Sequence, residues 1–313
     1  MSNQIEVSYA KHYAANVFHL SQQKGARLQP YCRQEIQNVE QDFYDRIGAV
    51  EAMEKIGRQV DVIYADTPHS RRRVVAKPYY FADTVDKDDK LKLLIDPESA
   101  YSQAAVYSIG RKKDDVFISA ALGTAWGGTD GSDAIVLPTS QKVAAFDGST
   151  ATGVNLNLKT LKKVKEKFNA NDVDESESLY MAVGSSQITS LLDQVEIQSA
   201  DYNSIKALVM GEVDSFMGFK FIRTERLPRS SSNVTYTVTD GTVGAGGGTI
   251  TASKSRRCIA WAQQGVLFAS ANSMFASIDK LPNKHFLNQI YVSQQFGATR
   301  MEEEKVVEVI CSE

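Results

Sequence analysis

The stretch "DPESAYSQAAVYSIGRKKDDVFISAALG", residues 96–123, carries the strongest helix signal of the chain and decides its fold. Asp96 is a preferred N-cap residue, Pro97 suits the first helical position, and Gly123 follows where the periodic pattern ends. At 1.5 Å per residue such a helix is about 40 Å long. Its predicted buried face consists of residues at helical spacing, namely Tyr101, Ala105 and Ile109, and, after the polar turn "RKKDD", Val116 and Ala120. A single helix of this length predicts a structural spine.

The region before this helix, residues 60–95, is predicted to form a long projecting hairpin with opposite charges at its two ends. Its stretches "VDVIYA" (60–65) and "VVAKPYYF" (74–81) are rich in β-branched and aromatic residues, and nearby prolines restrict them to edge strands or an extended loop. Cations precede anions along the chain: Arg71, Arg72, Arg73 and Lys77, then Asp86, Asp88 and Asp89. Because the opposite charges lie so close together, the hairpin is suited to pair with another copy of the chain.

Residues 1–59 are predicted to form a helical arm. In "CRQEIQNVEQDFYDRIGAVEAMEKIG" (32–57), apolar residues recur at spacings of three and four: Ile36, Val39, Phe43, Ile47 and Val50. Such a stripe indicates burial but does not identify the covering surface. Two interpretations therefore stay open, a helix docked on its own domain and an arm lying on a neighbouring subunit.

The region after the spine alternates short helices and strands and predicts an α/β subdomain. A basic amphipathic helix with Leu161, Val164 and Phe168 inward is followed by a polar loop, a strand over 179–183 and a further helix. Gly218 precedes another strand, and residues 230–253 predict a hairpin with a glycine-rich tip. Two strands close the chain, so the fold class is α+β.

Composition and charge are those of a folded protein without a dedicated nucleic-acid or membrane function. The 313 residues are 42% hydrophobic and 23% charged, with a formal net charge of -3. A pI of about 5.9 argues against tight nucleic-acid binding, although "SRRR" (70–73) and "SKSRR" (253–257) would suit transient contact with a packaged polyanion. We find neither a secretory signal nor an apolar window of membrane-spanning length, so a cytosolic protein is expected.

Catalytic, metal and phosphate motifs are missing from the sequence, so we expect neither an enzyme nor a cofactor. The run "GAGGGT" (244–249) continues into a strand rather than a helix, which favours a hairpin tip over a phosphate loop. The acidic stretch "NANDVDESES" fails as a calcium loop because Glu177 and Val183 stand where glycine and a bidentate glutamate belong. The cysteines are far apart, and reduced packing thiols are expected at all three, although an intersubunit disulfide stays open: Cys32, Cys258 and Cys311.

The order of these elements resembles that of tailed-bacteriophage major capsid proteins with the Hong Kong 97-like fold, particularly those of podophages. "LKLLIDPESAYSQAAVYSIGRKKDDVFISAALG" is similar to the passage from the extended loop into the spine helix. "LKKVKEKFNANDVDESESLYMAVGSSQITSLLDQ" is similar to a helix, loop, strand and helix of the axial domain, and "GEVDSFMGFKFIRTERLP" to a glycine and strand passage. The resemblance covers nearly the whole chain and rests on the order of the elements.

This resemblance implies a domain plan and a set of partners. The plan is an N-terminal arm (1–59), an extended β-hairpin loop (60–95), a peripheral domain with the spine helix (96–135), an axial domain (136–285) with a glycine-rich hairpin insertion near 230–255, and returning C-terminal strands (286–313). The chain would assemble with itself as pentamers and hexamers of an icosahedral shell around double-stranded DNA. Expected partners are a separate scaffolding protein, a portal protein and a decoration protein, with assembly in the host bacterial cytoplasm and final location in the virion.

Two other functions remain open at the level of sequence. Encapsulin compartments resemble this fold but enclose a cargo enzyme, and a DNA-filled particle would distinguish the two. A β-rich glycan-binding or hydrolytic protein is the alternative from another class, based on the Thr-, Ser- and Gly-rich strands near 230–253. If the capsid interpretation holds, the hairpin lies over the next subunit and its arginines contact carboxylates there.

Overall fold

The computed structural model describes residues 22–37, 39–55, 57, 61–62, 64–85, 98–145, 153–194, 215–230, 234–238, 248–252, 254–271 and 274–313. Its helices are α1 (Glu98–Leu122), α2 (Leu158–Ala170) and α3 (Ser185–Leu192). Its strands are β1 (Arg33–Ile36), β2 (Gln41–Ile47), β3 (His69–Val75), β4 (Lys77–Val85), β5 (Ala125–Gly127), β6 (Asp133–Ile135), β7 (Lys142–Ala144), β8 (Leu179–Val183), β9 (Phe219–Arg223), β10 (Val234–Val238), β11 (Gly248–Ala252), β12 (Ser255–Ala262), β13 (Val266–Ser270), β14 (Phe275–Leu281), β15 (Leu287–Arg300) and β16 (Val306–Ser312). The predicted α+β class is confirmed.

The chain divides into two compact units, and the first contains a small sheet and part of a helix. It comprises the described residues within Met1–Ala26, Pro78–Lys112 and Ser273–Gln295. Strand β14 pairs antiparallel with the beginning of β15, and β4 also pairs with β15. The ring of Tyr291 lies 5.9 Å from the ring of Tyr80 and 6.2 Å from that of Phe275. Aromatic contacts between neighbouring strands therefore help to hold this sheet together.

The second unit is built around a five-stranded sheet. It comprises the described residues within Arg27–Lys77, Lys113–Asn272 and Phe296–Glu313. The strand order is β7-β16-β12-β8-β9, with β12 antiparallel to both of its neighbours and β9 parallel to β8. Trp261 of β12 is fully buried, and its ring lies 5.0 Å from that of Phe117 and 6.0 Å from that of Tyr180. The core of this unit therefore lies where the end of α1 meets the central strands.

Helix α2 follows its sequence prediction closely. Leu161, Val164 and Phe168 are buried as expected, and the rings of Phe168 and Phe219 are 6.0 Å apart. The helix begins after Asn157, whose side-chain oxygen accepts a hydrogen bond of 2.8 Å from the Thr160 N–H. This cap satisfies one of the N–H groups that a helix leaves without an internal partner. Strand β8, helix α3 and strand β9 also lie where the sequence predicts them.

The long helix is confirmed, but its buried face differs from the predicted one. Helix α1 has 25 residues, so it is about 37 Å long. Asp96 and Pro97 lie outside the described residues, and Tyr101 is exposed. Beyond Ile109 the buried positions are Gly110, Asp114, Phe117, Ile118 and Ala121, whereas Val116 and Ala120 are only half-buried. The polar turn does not interrupt the buried face, because Asp114 accepts hydrogen bonds of 3.0 Å from the backbone N–H groups of Arg27 and Leu28.

The helix predicted around residues 33–47 is wrong, because this segment forms two strands. Strand β1 pairs parallel with β13, and β2 pairs antiparallel with β3. Phe43, Tyr44 and Ile47 favour strands, and partners from distant parts of the chain supply the hydrogen bonds. The apolar residues of the supposed helical stripe are exposed rather than buried at Ile36, Val39, Ile47 and Val50. The spacings of three and four between these apolar residues therefore do not reflect a helix in this segment.

The hairpin predicted over residues 60–95 stays a prediction, because residues 86–95 lie outside the described part of the chain. The strands that form an antiparallel hairpin lie earlier in the sequence. They are β2 and β3, with Gln41 opposite Val75 and Ile47 opposite His69. The described residues of the predicted strand at 60–65 have no strand structure. They belong instead to the segment that joins β2 to β3.

Candidate assembly surface

The segment of residues 48–68, called here the β2–β3 loop, joins the two hairpin strands. The Gly48 N–H donates a hydrogen bond of 2.9 Å to the Pro68 carbonyl oxygen and closes the base of the loop. The described residues beyond this pair are mostly exposed, and they include the large apolar residues Val50, Met53, Val62 and Tyr64. Tyr64 is 89% exposed and Val62 is 74% exposed. Apolar side chains grouped in one exposed segment are characteristic of a surface that another protein covers.

The β2–β3 loop is also acidic. Its described residues carry four carboxylates, from Glu51, Glu54, Asp61 and Asp66, and one cation, from Lys55. The acidic end predicted from the sequence consisted of Asp86, Asp88 and Asp89, which lie outside the described residues. The negative charge of this hairpin is therefore carried at least in part by its loop, directly beyond the arginines of β3.

Strand alternation separates the three arginines of β3. Successive side chains of a strand point to opposite faces, so Arg71 and Arg73 share one face and Arg72 lies on the other. The Arg71 guanidinium lies 3.1 Å from the Asp45 carboxylate and 5.7 Å from the Phe43 ring. The Arg73 guanidinium lies 5.6 Å from the ring of Trp126. Both arginines are partly exposed, and Lys77 is exposed.

Arg72, which the sequence predicted to contact another subunit, is buried within the second unit. Its side chain is 2% exposed, and its guanidinium donates to both Glu303 carboxylate oxygens at 2.7 and 2.8 Å. Burial lowers the pKa of Arg72, and the Glu303 carboxylate opposes that shift. The role of Arg72 is therefore to fix the base of the hairpin to the turn between β15 and β16.

The Glu303 carboxylate also lies close to two other arginines, Arg300 and Arg46. Arg300 lies 3.4 Å from its carboxylate and donates to the carbonyl oxygens of Ala121 and Gly123 at 3.0 and 2.8 Å. Arg46 of β2 lies 3.7 Å from the same carboxylate. One carboxylate thus links β2, β3 and the end of α1, and we call these four residues the Glu303 cluster: Arg46, Arg72, Arg300 and Glu303. Sequence reasoning missed it because its acid is 231 positions away from Arg72.

A groove of ≈ 580 Å³ lies beside this cluster at the base of the hairpin. Its walls include the charged residues Asp45, Arg46, Arg71 and Asp133 together with Ile135. The described part of the chain holds no group of His, Cys, Asp and Glu residues arranged for a metal ion. Cys32, Cys258 and Cys311 are buried free thiols. The chemistry available here is that of ion pairs, hydrogen bonds and apolar contact.

Comparison with known proteins identifies the family. A family model described as phage capsid protein matches residues 5–313. The capsid structure of the cyanophage P-SCSP1u has a TM-score of 0.70 at 13% identity and covers 100% of this chain and 95% of its own. The capsid of Ralstonia phage GP4 has a TM-score of 0.73 at 8% identity, with 97% and 95% covered. The capsid structure of Helicobacter pylori bacteriophage KHP30 has a TM-score of 0.65 at 10% identity, with 98% and 96% covered. No curated protein sequence matches the chain.

The fold is therefore that of phage capsid proteins, and the chain belongs to the phage capsid protein family. It is a major capsid protein, a structural component of the phage head shell rather than an enzyme. Self-assembly into a shell of capsomers and a place in the virion follow from this membership. Among the helices in the described part of the chain, none is long and apolar enough to span a membrane.

Proposed function

We propose that the β2–β3 loop is the element that joins subunits within a ring, by lying over the neighbouring copy of the chain. The observation that carries this proposal is the exposure of Val50, Met53, Val62 and Tyr64 in a loop whose base is closed and anchored. A head-to-tail contact of this kind closes into rings when its angle allows. Rings of five and six would then form an icosahedral shell around double-stranded DNA, with the arm, peripheral and axial domains of a Hong Kong 97-like subunit.

Apolar contact, rather than ion pairing, contributes most to this proposed interface. An exposed ion pair such as Arg71–Asp45 contributes about 0 to 1 kcal/mol. Burying one large apolar side chain contributes about 1.5 to 3 kcal/mol. The four exposed apolar residues of the loop therefore outweigh its charges, and repetition over many copies multiplies the effect. Arg71, Arg73 and Lys77, with Asp86, Asp88 and Asp89, serve orientation and selectivity in this proposal.

Further partners are proposed from the family. A separate scaffolding protein sets the size of the shell, a portal protein occupies one vertex, and a decoration protein binds the outside. The packaged DNA contacts the shell without sequence specificity. Assembly takes place in the host bacterial cytoplasm, before the DNA is packaged.

The test is electron microscopy with light scattering on the full-length chain, with and without a scaffolding protein from the same phage. The variant Val62→Ser/Tyr64→Ser should reduce the yield of closed shells strongly, while its circular dichroism spectrum and unfolding midpoint stay those of the wild type. Arg71→Gln/Lys77→Gln is the matched surface control and should lower the yield much less. Equal yields from the loop variant and the wild type would contradict the role of the loop.

A further inference from the structure

Helix α2 carries a dense row of cations on the side opposite its buried residues. Four of its five lysines, Lys159, Lys162, Lys163 and Lys167, form what we call the lysine face, whereas Lys165 lies about 160° around the helix from Lys167. Glu166 is the one acidic residue of the helix, so the formal charge of α2 is +4 in a chain whose formal net charge is -3. Lys159 and Lys162 are exposed, and the other three lysines are partly exposed. Amphipathic folding thus concentrates positive charge on one surface of an acidic protein.

This row is unfavourable for the helix itself. The first turn contains no acidic residue, although the partial positive charge of a helix N-terminus favours carboxylates there and disfavours lysine. Lys159 and Lys163 are four residues apart, as are Lys163 and Lys167, so like charges repel along the helix surface. Within the helix, Glu166 reduces this repulsion, because its carboxylate lies 3.4 Å from the Lys163 ammonium group. A local sequence that departs from the rules for a stable helix indicates selection for something other than stability.

Acidic residues come directly after α2 in the sequence. Asp172, Asp174 and Glu175 follow the C-terminal end of the helix. Glu177, the next carboxylate, is already bound to Lys305 at 2.7 Å. The lysine face itself extends along α2 from Lys159 to Lys167.

The spacing of the lysines matches a nucleic-acid backbone. Lys159 and Lys167 are eight residues apart, which is about 12 Å along the helix axis. Phosphates of one DNA strand follow each other at about 3.4 Å along the duplex axis, so this length faces about three of them. Lysine binds phosphate as a flexible point charge without reading the sequence. Such contacts would hold any packaged sequence equally well.

We propose that the lysine face of α2 is a contact surface for the phosphate backbone of double-stranded DNA. The proposal rests on the proposed function, in which the shell encloses DNA, and adds the part of the chain that meets it. A row of lysines gives weak, salt-dependent contacts that repeat in every subunit. Such contacts neutralise phosphates near the shell and release the DNA readily when it leaves.

The test measures DNA binding by the unassembled full-length chain as a function of salt. The variant Lys159→Gln/Lys162→Gln/Lys163→Gln keeps the helix, since lysine and glutamine have similar helix propensities. The probe is a fluorescein-labelled duplex of random sequence, followed by anisotropy between about 50 and 200 mM NaCl. Each lost phosphate contact lowers the slope of log K against log salt by about 0.9, so three lower it by about 2.7. Over that fourfold range of salt, the wild type should lose about 40-fold more affinity than the variant.

A control of equal charge change separates this surface from the general charge of the protein. Lys24, Lys280 and Lys284 are exposed and lie outside α2, and their triple glutamine variant should keep the wild-type slope. Equal slopes in all three proteins, or equal losses in both variants, would overturn the proposal.

Shell formation with the scaffolding protein is measured in parallel by electron microscopy. Shells from the α2 variant together with a reduced salt slope support the proposal. Lost shells with unchanged DNA binding would assign the lysine face to a protein partner instead, and would overturn it. A failure of the wild type to form shells would refute the proposed function, whereas the salt slopes decide the DNA contact separately.

Discussion

Replacement of Glu303 by glutamine should destabilise the second unit far more than loss of any exposed ion pair. The Glu303 carboxylate lies 2.7 Å from Arg72 and 3.4 Å from Arg300, whose side chains are 2% and 0% exposed. Glu303→Gln removes the charge and leaves both guanidiniums buried. Breaking a buried ion pair in this way costs about 3 to 5 kcal/mol. We expect about 3 kcal/mol, because the amide oxygen still accepts one hydrogen bond and Arg300 keeps its carbonyl partners.

Asp45→Asn is the matched control for this prediction. Asp45 faces Arg71 at 3.1 Å, but its side chain is 68% exposed, so the variant should lose about 0 to 1 kcal/mol. Urea unfolding is followed by tryptophan fluorescence. This signal reports on the second unit, because the chain's two tryptophans, Trp126 and Trp261, both belong to it. The difference between the two variants should therefore be read directly from this unit.

Equal losses of stability in the two variants would refute the reasoning. So would a double-mutant cycle between Arg72→Met and Glu303→Gln with a coupling energy close to zero, because residues in direct contact within one network should couple by about 0.5 to 3 kcal/mol.

Three further predictions concern buried and charged groups of the second unit. Burial alone would raise the pKa of Glu225, but hydrogen bonds from Ser185 and Arg256 lower it to about 2. Its contribution to stability is therefore complete above the unfolded value of 4.5 and is lost as the pH falls through about 2, so wild type and Glu225→Gln should have converging unfolding free energies in acid. Burial, with a smaller effect of Asp114, raises the pKa of the Cys32 thiol to about 12, so it should react with a maleimide at about pH 8 only after unfolding in urea. Gly184→Ala should lower the unfolding midpoint, because the added Cβ would lie 1.9 Å from the buried Arg256 guanidinium. Gly218→Ala is the comparison for backbone strain alone, because φ is +83° there and the closest atom to the added Cβ is 3.7 Å away.

Elements with their own local periodicity could be predicted from the sequence. Leu161, Val164 and Phe168 repeat at helical spacing and are buried in α2, and the long helix α1 is found where its sequence places it. In both cases the information lies within a few residues of each position. The buried face of α1 was less predictable, because Asp114 is buried by hydrogen bonds to the backbone of Arg27 and Leu28, 87 and 86 positions away.

Elements that depend on distant partners were predicted poorly. Residues 33–36 form a strand because β13 lies beside them, with Arg33 opposite Leu267. The spacing of Ile36 and Val39 in the sequence contains no information about β13, so it indicates a helical stripe instead. The site shows the same limit, since nothing near Arg72 in the sequence identifies Glu303 as its acceptor.

The three consecutive arginines of β3 should not be mutated together in a test of the interface, because only Arg72 is buried. A run of three like charges in the sequence suggests one function, but alternation along β3 gives Arg72 a different environment from Arg71 and Arg73. Reversing all three charges would place a buried carboxylate at position 72, directly beside Glu303, and the chain would unfold before any effect on assembly could be measured. Failure of that variant to assemble would therefore say nothing about contacts between subunits. Changes confined to Arg71, Lys77 and the β2–β3 loop preserve the Glu303 cluster, so a loss of shells in these variants reports on the interface itself.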